Sequence, residues 1–267
     1  MGRPGGTHDD DVGAQPSAAA HRLLAARTAR TTLTGGLGEL SLAEAYAIQD
    51  QLTAARVARG EHIVGWKLGY TSPAMRAQMG IDAPNRGPLT DAMLLASGAA
   101  VPAAAIQPRV EPEIGLRLER PVPPGASTAE ALACCSGAYA CLEVVDSIWT
   151  DYKFSLTDNT ADGSSAAWVV LGPALPMDDL AGLGVVLVVD GAEVASATGA
   201  AAGGHPAAGL AWLADELAGS ARGLRSGDLV ITGGLTAAYP LTGAIAARFG
   251  DDVEVSVNSV DHRTRDA

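Results

Sequence analysis

Two glutamates, Glu111 and Glu113, stand two residues apart in a run that reads as a β-strand over 109–116. Side chains at positions i and i+2 leave a strand on the same face, so the two carboxylates are predicted to lie side by side. Like charges at this spacing raise each other's pKa unless a cation lies between them. The pattern suggests a hard divalent metal ion with oxygen ligands, which points toward an enzyme. The alternative is an exposed strand face with two solvated acids.

The rest of the chain alternates short β-rich runs with a few helices. Apolar runs separated by Gly, Pro and Asp predict strands at 63–70, 110–118, 138–145, 167–171, 184–189, 193–198, 228–231 and 253–258. Helices are predicted at 18–30, 41–58, 73–79, 128–134 and 206–218. Because the order is not a regular βαβ alternation, we predict an α+β fold with a curved mixed sheet.

The same patterns predict the organisation of the chain. They predict a mobile tail over 1–16, a helical part over 17–62 and a β-rich catalytic domain over 63–267. The polar, Gly-rich composition of the first segment is the reason to expect a tail there.

The charge balance argues against two classes of partner. The chain of 267 residues has 30 acidic and 18 basic residues, a formal net charge of −12. That charge repels phosphate backbones and anionic lipids, so we expect neither nucleic acid nor membrane as a partner. With no apolar run long enough for a membrane span and no signal-peptide pattern, we expect a cytoplasmic protein. An anionic small substrate would need a local positive centre, such as a bound metal ion.

Two further charged residues interrupt apolar strands. Glu143 is a lone acid in its strand and is the candidate for a third metal ligand. The alternative is that it lies on the solvent-exposed face of the strand. Asp146 falls on the opposite face of a regular strand and is predicted to support the site rather than to bind the ion. Lys67 is a candidate to contact a substrate carboxylate or to move a proton. Its alternative is a side chain that extends its ammonium group to solvent.

Other conspicuous residues favour structural roles or loops. His205 precedes a proline at a predicted helix start, which favours an N-cap over a general base. Ser164 and Ser165 lack the Gly-x-Ser-x-Gly pattern of a serine hydrolase. The Pro- and Gly-rich segment 80–88 is predicted to be a loop, where a lid or an acid/base residue could lie.

Several segments together resemble one enzyme family. They are Gly-Trp-Lys-Leu-Gly-Tyr-Thr-Ser at 65–72, Gln-Pro-Arg-Val-Glu-Pro-Glu-Ile at 107–114, Leu-Glu-Val-Val-Asp-Ser at 142–147, Ala-Asp-Gly-Ser-Ser at 161–165, Gly-His-Pro at 204–206, Leu-Ala-Trp-Leu at 210–213 and the run 223–233. From about 23 to 257, in order, the chain is similar to the 2-keto-4-pentenoate hydratase and 4-oxalocrotonate decarboxylase family, which is related in fold to fumarylacetoacetate hydrolases.

The resemblance implies a fold, a cofactor and a site. It implies a mixed-sheet β-roll core with a helical N-terminal part, and homo-oligomeric assembly. It implies a Mg²⁺ or Mn²⁺ ion on three carboxylates: Glu111, Glu113 and Glu143. It also implies that a 2-oxo acid substrate is bordered by Lys67, the backbone of Leu68, and Ser165.

The chain departs from the family pattern near the chemistry. Family members commonly carry Asp followed by an aromatic residue where this chain has Asn85 and Arg86, so an acid given a proton-transfer role there is absent. Asp82 remains, in a position the family favours, and is a candidate catalytic residue beside Lys67. Three further departures are Gly163 for an Asn, Ile148 for an Arg and Gly234 for a Ser.

Three functions follow as hypotheses. A metal ion on three carboxylates has free positions for a 2-oxo acid and stabilises its enolate. The leading hypothesis is a hydratase of 2-hydroxypenta-2,4-dienoate-type acids, as in aromatic catabolism. The alternative is a 4-oxalocrotonate-type decarboxylase, or a relative recruited to another enolisable 2-oxo acid, with Arg86 holding a second substrate carboxylate. The third is a non-catalytic assembly partner of a sister enzyme.

Overall fold

Two helices open the described part of the chain, α1 (Ala18–Ala29) and α2 (Leu42–Val57). The computed structural model describes residues 16–73, 76–77 and 80–259, so most of the predicted tail and part of the helix predicted at 73–79 lie outside the described residues. Ser41 begins α2 with a capping box, since Ser41 Oγ accepts from Glu44 N and the Glu44 carboxylate accepts from Ser41 N. Both helices pack in one apolar cluster with Ile148 and Trp149.

Twelve strands and three more helices follow in the described residues. The strands are β1 (Ile63–Gly69), β2 (Asn85–Thr90), β3 (Leu94–Ala96), β4 (Arg109–Leu118), β5 (Cys135–Val145), β6 (Ala166–Leu175), β7 (Gly184–Val189), β8 (Ala192–Thr198), β9 (Leu229–Ile231), β10 (Tyr239–Pro240), β11 (Ala244–Phe249) and β12 (Val253–Asn258). The helices are α3 (Thr128–Leu132), α4 (Leu156–Ala161) and α5 (Pro206–Glu216), and short 3₁₀ turns cover Asp91–Met93, Thr150–Tyr152 and Gly199–Ala201.

The strands form two sheets around one main core. The larger has the order β2-β1-β9-β4-β5-β6-β3, with β10 paired to β4, and the smaller has the order β12-β11-β7-β8. In the larger sheet β1–β9 and β3–β6 are parallel, whereas β4–β5 and β5–β6 are antiparallel. The predicted α+β fold with a mixed sheet is therefore confirmed. Side chains from both sheets and from α5 fill the core.

The segment 80–88 differs from its sequence prediction. The sequence predicts a loop, but residues from Asn85 onward form β2, which pairs antiparallel with β1 and sets Arg86 opposite Leu68. Pro88 has no N–H for a sheet, and it is accommodated because β2 lies at the edge of the sheet. Because β2 is a strand, Asn85 and Arg86 lie on opposite faces of the sheet.

Candidate active site

Three glutamate carboxylates meet on one face of the larger sheet. Glu111 on β4 lies directly opposite Glu143 on the antiparallel strand β5. Glu113 follows two residues later on β4 and so shares that face. The structure brings one oxygen from each of these carboxylates within 4.8 Å of the others. The trio is therefore assembled by the register of two long strands.

The trio is an unfavourable arrangement for the protein alone. Glu113 and Glu143 are fully buried. Burial and the neighbouring Glu143 raise the pKa of Glu111 to about 8, and the same causes, together with Glu111, raise the pKa of Glu113 well above its ordinary value. Glu113 Oε1 and Glu143 Oε1 have no hydrogen-bond partner among the described residues. Buried carboxylate oxygens without hydrogen-bond partners fit the ligand set of a hard divalent cation.

Lys67 on β1 lies against this trio. Its side chain is 4 % exposed, which excludes the alternative of an ammonium group extended to solvent. Its Nζ lies 3.1 Å from Glu143 Oε2 and donates to the carbonyl oxygen of Ser164 at 3.0 Å. Burial lowers the pKa of Lys67, but the fields of Glu143, Glu111 and Glu113 more than offset this, so its pKa lies above the ordinary value. Lys67 is therefore a fixed positive charge in the site.

A cavity of about 480 Å³ opens beside the trio. Of the residues predicted to border a substrate, Lys67, Leu68 and Ser165 line it, together with Glu111. Its walls also contain strained backbone: among the described non-glycine residues with positive φ, five line the cavity. They are Tyr70, Asp151, Tyr152, Ser164 and Ser165. Strained backbone of this kind clusters at functional sites.

A left-handed turn positions Ser164 and Ser165. Gly163, Ser164 and Ser165 have φ values of 80°, 58° and 54° in succession, and this turn directs the Ser164 carbonyl toward Lys67. Gly and Asn both tolerate positive φ better than other residues. The change from the family's Asn to Gly163 therefore keeps the backbone that the site needs, although it removes the amide.

An amide network behind the cavity was missed by the sequence analysis. Ser164 Oγ donates to Asn85 Oδ1 at 2.9 Å, and Asn85 Nδ2 donates to Asn159 Oδ1 at 3.1 Å. Asn159 Nδ2 donates to Ser165 Oγ at 2.9 Å, and the Tyr70 hydroxyl donates to Asn159 Oδ1 at 3.0 Å. An isolated Asn in a short helix carries little sequence signal, but the Ser-x-x-Asp capping box that begins α4 at Ser155 could have located that helix.

The sequence of this chain is similar to those of known enzymes. A model of the fumarylacetoacetate (FAA) hydrolase C-terminal family matches residues 62–264. A 2-keto-4-pentenoate hydratase from Burkholderia vietnamiensis is 41% identical over 211 residues, which cover 77% of this chain and 79% of that protein. The chain belongs to the 2-keto-4-pentenoate hydratase and 4-oxalocrotonate decarboxylase family.

Both activities of the family occur among the relatives. A 4-oxalocrotonate decarboxylase from Pseudomonas sp. strain CF600 is 35% identical over 214 residues, 78% of this chain and 81% of that protein. The solved structure of 4-oxalocrotonate decarboxylase from Pseudomonas putida G7, complexed with magnesium and adipate, matches with a TM-score of 0.86 and 31% identity, covering 91% of this chain and 96% of that one. This member of the family is a lyase, of the hydro-lyase or carboxy-lyase type.

Two residues predicted for the site of this family member lie elsewhere. The Arg86 guanidinium lies between two aromatic rings, its Cζ 4.2 Å from the Tyr46 centroid and 5.2 Å from the Trp66 centroid. It faces away from the cavity because Asn85, its neighbour on β2, faces toward it. The structure therefore does not support Arg86 as a substrate ligand. Asp82 is exposed and does not line the cavity, and its catalytic role stays a prediction.

The structure explains the positions of the other residues that the sequence analysis singled out. Ile148 is fully buried in the cluster beneath α1, where the family's Arg would lack solvent. Gly234 lies against Glu111, so a Cβ at this position would overlap the Glu111 carboxylate. His205 caps α5, because its Nδ1 accepts from Ala207 N at 3.0 Å, as the favoured prediction stated. The Asp146 carboxylate accepts hydrogen bonds from the backbone N–H groups of Ile106 and Gln107. It lies on the side of the strand opposite the trio.

Arg109 and Tyr152 are cavity residues that the sequence analysis did not identify. Arg109 lies two residues before Glu111 on β4, and its Cζ is 4.3 Å from the centroid of the Tyr152 ring. The Tyr152 hydroxyl lies 3.0 Å from the carbonyl oxygen of Gln107 and 2.9 Å from that of Val145, and its one proton is shared between these two acceptors, which fixes the ring. The alternation that pairs Glu111 with Glu113 also applies to Arg109, so that signal was present in the sequence.

Within the described part of the chain, no helix is both long and apolar enough to cross a membrane.

Proposed function

We propose that this lyase uses a divalent metal ion to enolise a small 2-oxo acid. The observation that carries the proposal is the trio of Glu111, Glu113 and Glu143, which brings one oxygen from each carboxylate within 4.8 Å of the others. Glu113 and Glu143 are buried, and three of their oxygens have no hydrogen-bond partner among the described residues. These residues would hold Mg²⁺ or Mn²⁺, and the ion would supply an electrophile that stabilises negative charge on the 2-oxo oxygen. The magnesium in the related decarboxylase structure supports this choice of ion.

Lys67 supplies the fixed positive charge of the mechanism. Three carboxylates, one ammonium group and a divalent ion sum to zero charge, so a substrate anion enters without net repulsion. Lys67 Nζ is held by Ser164 O and Glu143 Oε2 on the cavity wall. From there it can bind the substrate's C1 carboxylate or deliver a proton to the substrate.

Ser165 and Leu68 orient the substrate. Since Asn159 Nδ2 already donates to Ser165 Oγ, the hydroxyl proton of Ser165 is free to donate into the cavity. Leu68 lines the same wall on β1, next to Lys67. A hydroxyl donor and a backbone group on fixed elements hold the substrate in one orientation, which lowers the entropy cost of reaction.

Two outcomes branch from the common enolisation step. The first candidate is hydration of a 2-hydroxypenta-2,4-dienoate-type acid, which the 41% identity to a hydratase supports. The second is loss of CO₂ from a 4-oxalocrotonate-type acid, which a basic side chain in the cavity, Arg109, favours. A non-catalytic assembly partner is the least supported hypothesis, because the trio and Lys67 are all in place. Homo-oligomeric assembly is part of the proposal.

Deuterium exchange at C3 of small 2-oxo acids tests the proposal, since it reports enolisation whatever step follows. We expect exchange with Mg²⁺, no exchange after chelation, and none in Glu113→Gln with Mg²⁺ present. Glu119→Gln is the control, because Glu119 is exposed and directly follows the same strand. This variant should catalyse exchange of the 2-oxo acid as fast as the unmodified chain does. Equal exchange with and without metal would contradict the proposal.

A further inference from the structure

An arginine of α1 contacts two elements that border the substrate cavity. Arg27 lies in the last turn of α1 and lines a cleft of about 100 Å³ between α1, α2 and β2, whose wall includes Asp162 and Gly163. Gly163 begins the turn at 163–165, so this turn borders both the cleft and the substrate cavity. Because α1 precedes the region 62–264 that the family model matches, Arg27 reaches the site from outside that region.

Arg27 connects the residue that follows β5 with the residue that precedes the turn. Its Nη1 donates to the carbonyl oxygen of Asp146 at 2.5 Å, and its Nη2 lies 3.0 Å from both carboxylate oxygens of Asp162. Asp146 N in turn donates to the carbonyl oxygen of Ser165 at 2.9 Å. The turn is therefore held at its start through Asp162 and at its end through Asp146, and one guanidinium group serves both contacts.

We propose that Arg27 is a positioning residue of the active site, which fixes both ends of the turn at 163–165 and so sets the places of Ser164 and Ser165 on the cavity wall. The inference rests on the proposed function, in which the Ser164 carbonyl oxygen holds Lys67 and Ser165 orients the substrate. It goes beyond that function, because it assigns an effect on turnover to a side chain that does not line the substrate cavity.

Arg27 also supplies the charge that keeps Asp162 ionised where it lies. The Asp162 side chain is 1 % exposed, and burial raises its pKa to about 6 although the neighbouring Arg27 lowers it. The Asp146 carboxylate, whose Oδ2 is 3.6 Å from Arg27 Nη1, adds a second negative charge beside it. Without Arg27, the Asp162 carboxylate would take up a proton or move toward solvent, since a buried charge without a partner is costly. Either change displaces the turn that follows it.

A purely structural role for Arg27 is the alternative. A basic residue in the last turn of a helix is stabilised by the helix dipole, and its ion pair with Asp162 could simply dock α1 on the sheet. Docking affects the free energy of unfolding, whereas positioning affects kcat while magnesium affinity stays the same. The shape of the side chain also separates the two roles. A guanidinium group contacts two elements through different nitrogens, which the single ammonium group of a lysine cannot do.

The rate of C3 exchange with Mg²⁺ present, measured for Arg27→Ala and Arg27→Lys, tests the inference. We expect kcat to fall by about 10- to 100-fold in Arg27→Ala, the scale for a misplacement of about 1 Å near the reacting groups, with unchanged magnesium affinity. Because the Arg27 side chain is 26 % exposed in an open cleft, guanidinium chloride at low, non-denaturing concentration should restore part of kcat in a saturable way. Sodium chloride should not. Arg27→Lys keeps the charge and should fold, but with reduced kcat.

Arg22→Ala is the matched control. Arg22 lies on the same helix and donates to the backbone carbonyl oxygens of Thr34, Gly35 and Gly36, so it docks α1 without a contact to the turn. This variant should keep kcat, and guanidinium should not increase its activity.

Hydrogen exchange of two backbone amides reports on the turn whether or not a substrate reacts. Asp146 N donates to Ser165 O, and Ser164 N donates to the carbonyl oxygen of Asn159. We expect both amides to exchange faster in Arg27→Lys than in the unmodified chain, and at the unmodified rate in the control variant.

Three results would overturn the inference. They are full kcat in folded Arg27→Ala, or in Arg27→Lys where Arg27→Ala does not fold; no recovery of activity with guanidinium; and unchanged amide exchange in Arg27→Lys. Absence of metal-dependent C3 exchange in the unmodified chain would instead overturn the proposed function, and amide exchange would then decide by itself whether Arg27 holds the turn.

Discussion

The ion pair between Lys67 and Glu143 decides how the trio behaves at the scale of single residues. Both side chains are almost fully buried, and their charged atoms are 3.1 Å apart. A buried pair of this kind is costly to break from one side, because the partner is left uncompensated. Lys67 therefore neutralises part of the trio, and in the proposed mechanism it would also present its ammonium group to the substrate.

Lys67→Met separates these functions from metal binding. It keeps an apolar stem of similar length and removes the charge, so we expect kcat to fall by about 100-fold or more, the contribution of a placed proton donor. Magnesium affinity should be kept or increased, because a positive charge next to the ion is removed. Steady-state kinetics and a magnesium titration measure the two quantities. Unchanged kcat in a folded, magnesium-binding variant would contradict the role of Lys67.

Individual residues also show where sequence reasoning stops. The meeting of Glu111 and Glu113 was predictable from strand alternation, and Glu143 and Lys67 were candidates because a charge within an apolar strand needs a partner. Arg86 was assigned to the substrate because it is a cation where the family pattern has an aromatic residue, and the predicted loop gave no direction for its side chain. Once β2 is known to be a strand, alternation alone sends Asn85 inward and Arg86 to the aromatic rings.

The turn at 163–165 holds part of the cavity wall in place. Gly163 has φ 80°, and a Cβ there would meet nothing within 4 Å, so a substitution costs backbone strain without a clash. The strain would be relieved by moving Ser164, whose carbonyl oxygen holds Lys67 at 3.0 Å.

Gly163→Ala and Gly98→Ala form a matched pair. Gly98 also has positive φ, 85°, and open space around its Cβ, but it lies away from the cavity. We expect each variant to lose about 1 kcal/mol of unfolding free energy, and only Gly163→Ala to lose activity as well. Gly163→Asn should be milder than Gly163→Ala. Denaturant unfolding and kcat measure the outcome, and an equal loss of activity in both alanine variants would count against the turn's role.

Elements with strong local signals were predictable, and those made by distant pairing were not. The helix predicted at 41–58 and the strands predicted at 184–189 and 253–258 match α2, β7 and β12. These features depend on residues close together in the chain. The missed strand β2 is rich in Asn, Gly and Pro, and it exists because β1 offers it a partner. Its stability comes from pairing that no local pattern records.

The trio affects the stability of the whole molecule in the absence of metal. Burial and Glu143 raise the pKa of Glu111 from 4.5 to about 8, and the pKa of Glu113 is raised as well. The folded chain therefore keeps protons that the unfolded chain has already released. Because the folded state binds more protons, the free energy of unfolding contributed by these groups falls as pH rises from about 4.5 to about 8.

Magnesium should remove this pH dependence, since it replaces the protons as the counter-charge of the trio. We expect metal-free protein to lose stability between about pH 6 and pH 8, and the stabilisation by added Mg²⁺ to be larger at the higher pH. Glu111→Gln should show a smaller slope without metal, because residue 111 no longer titrates. Thermal unfolding at several pH values measures this. If stability without metal falls with pH equally steeply in the unmodified chain and in Glu111→Gln, then Glu111 does not have a raised pKa.

Anomalous diffraction from crystals grown with Mn²⁺ tests the central claim most directly. The account predicts one manganese peak with an oxygen of Glu111, Glu113 and Glu143 each at about 2 Å, the distance for a small hard divalent ion. Glu113→Gln crystals should show a weaker peak or none at that position. A peak bound elsewhere, or three carboxylates that point apart with no ion among them, would contradict the account.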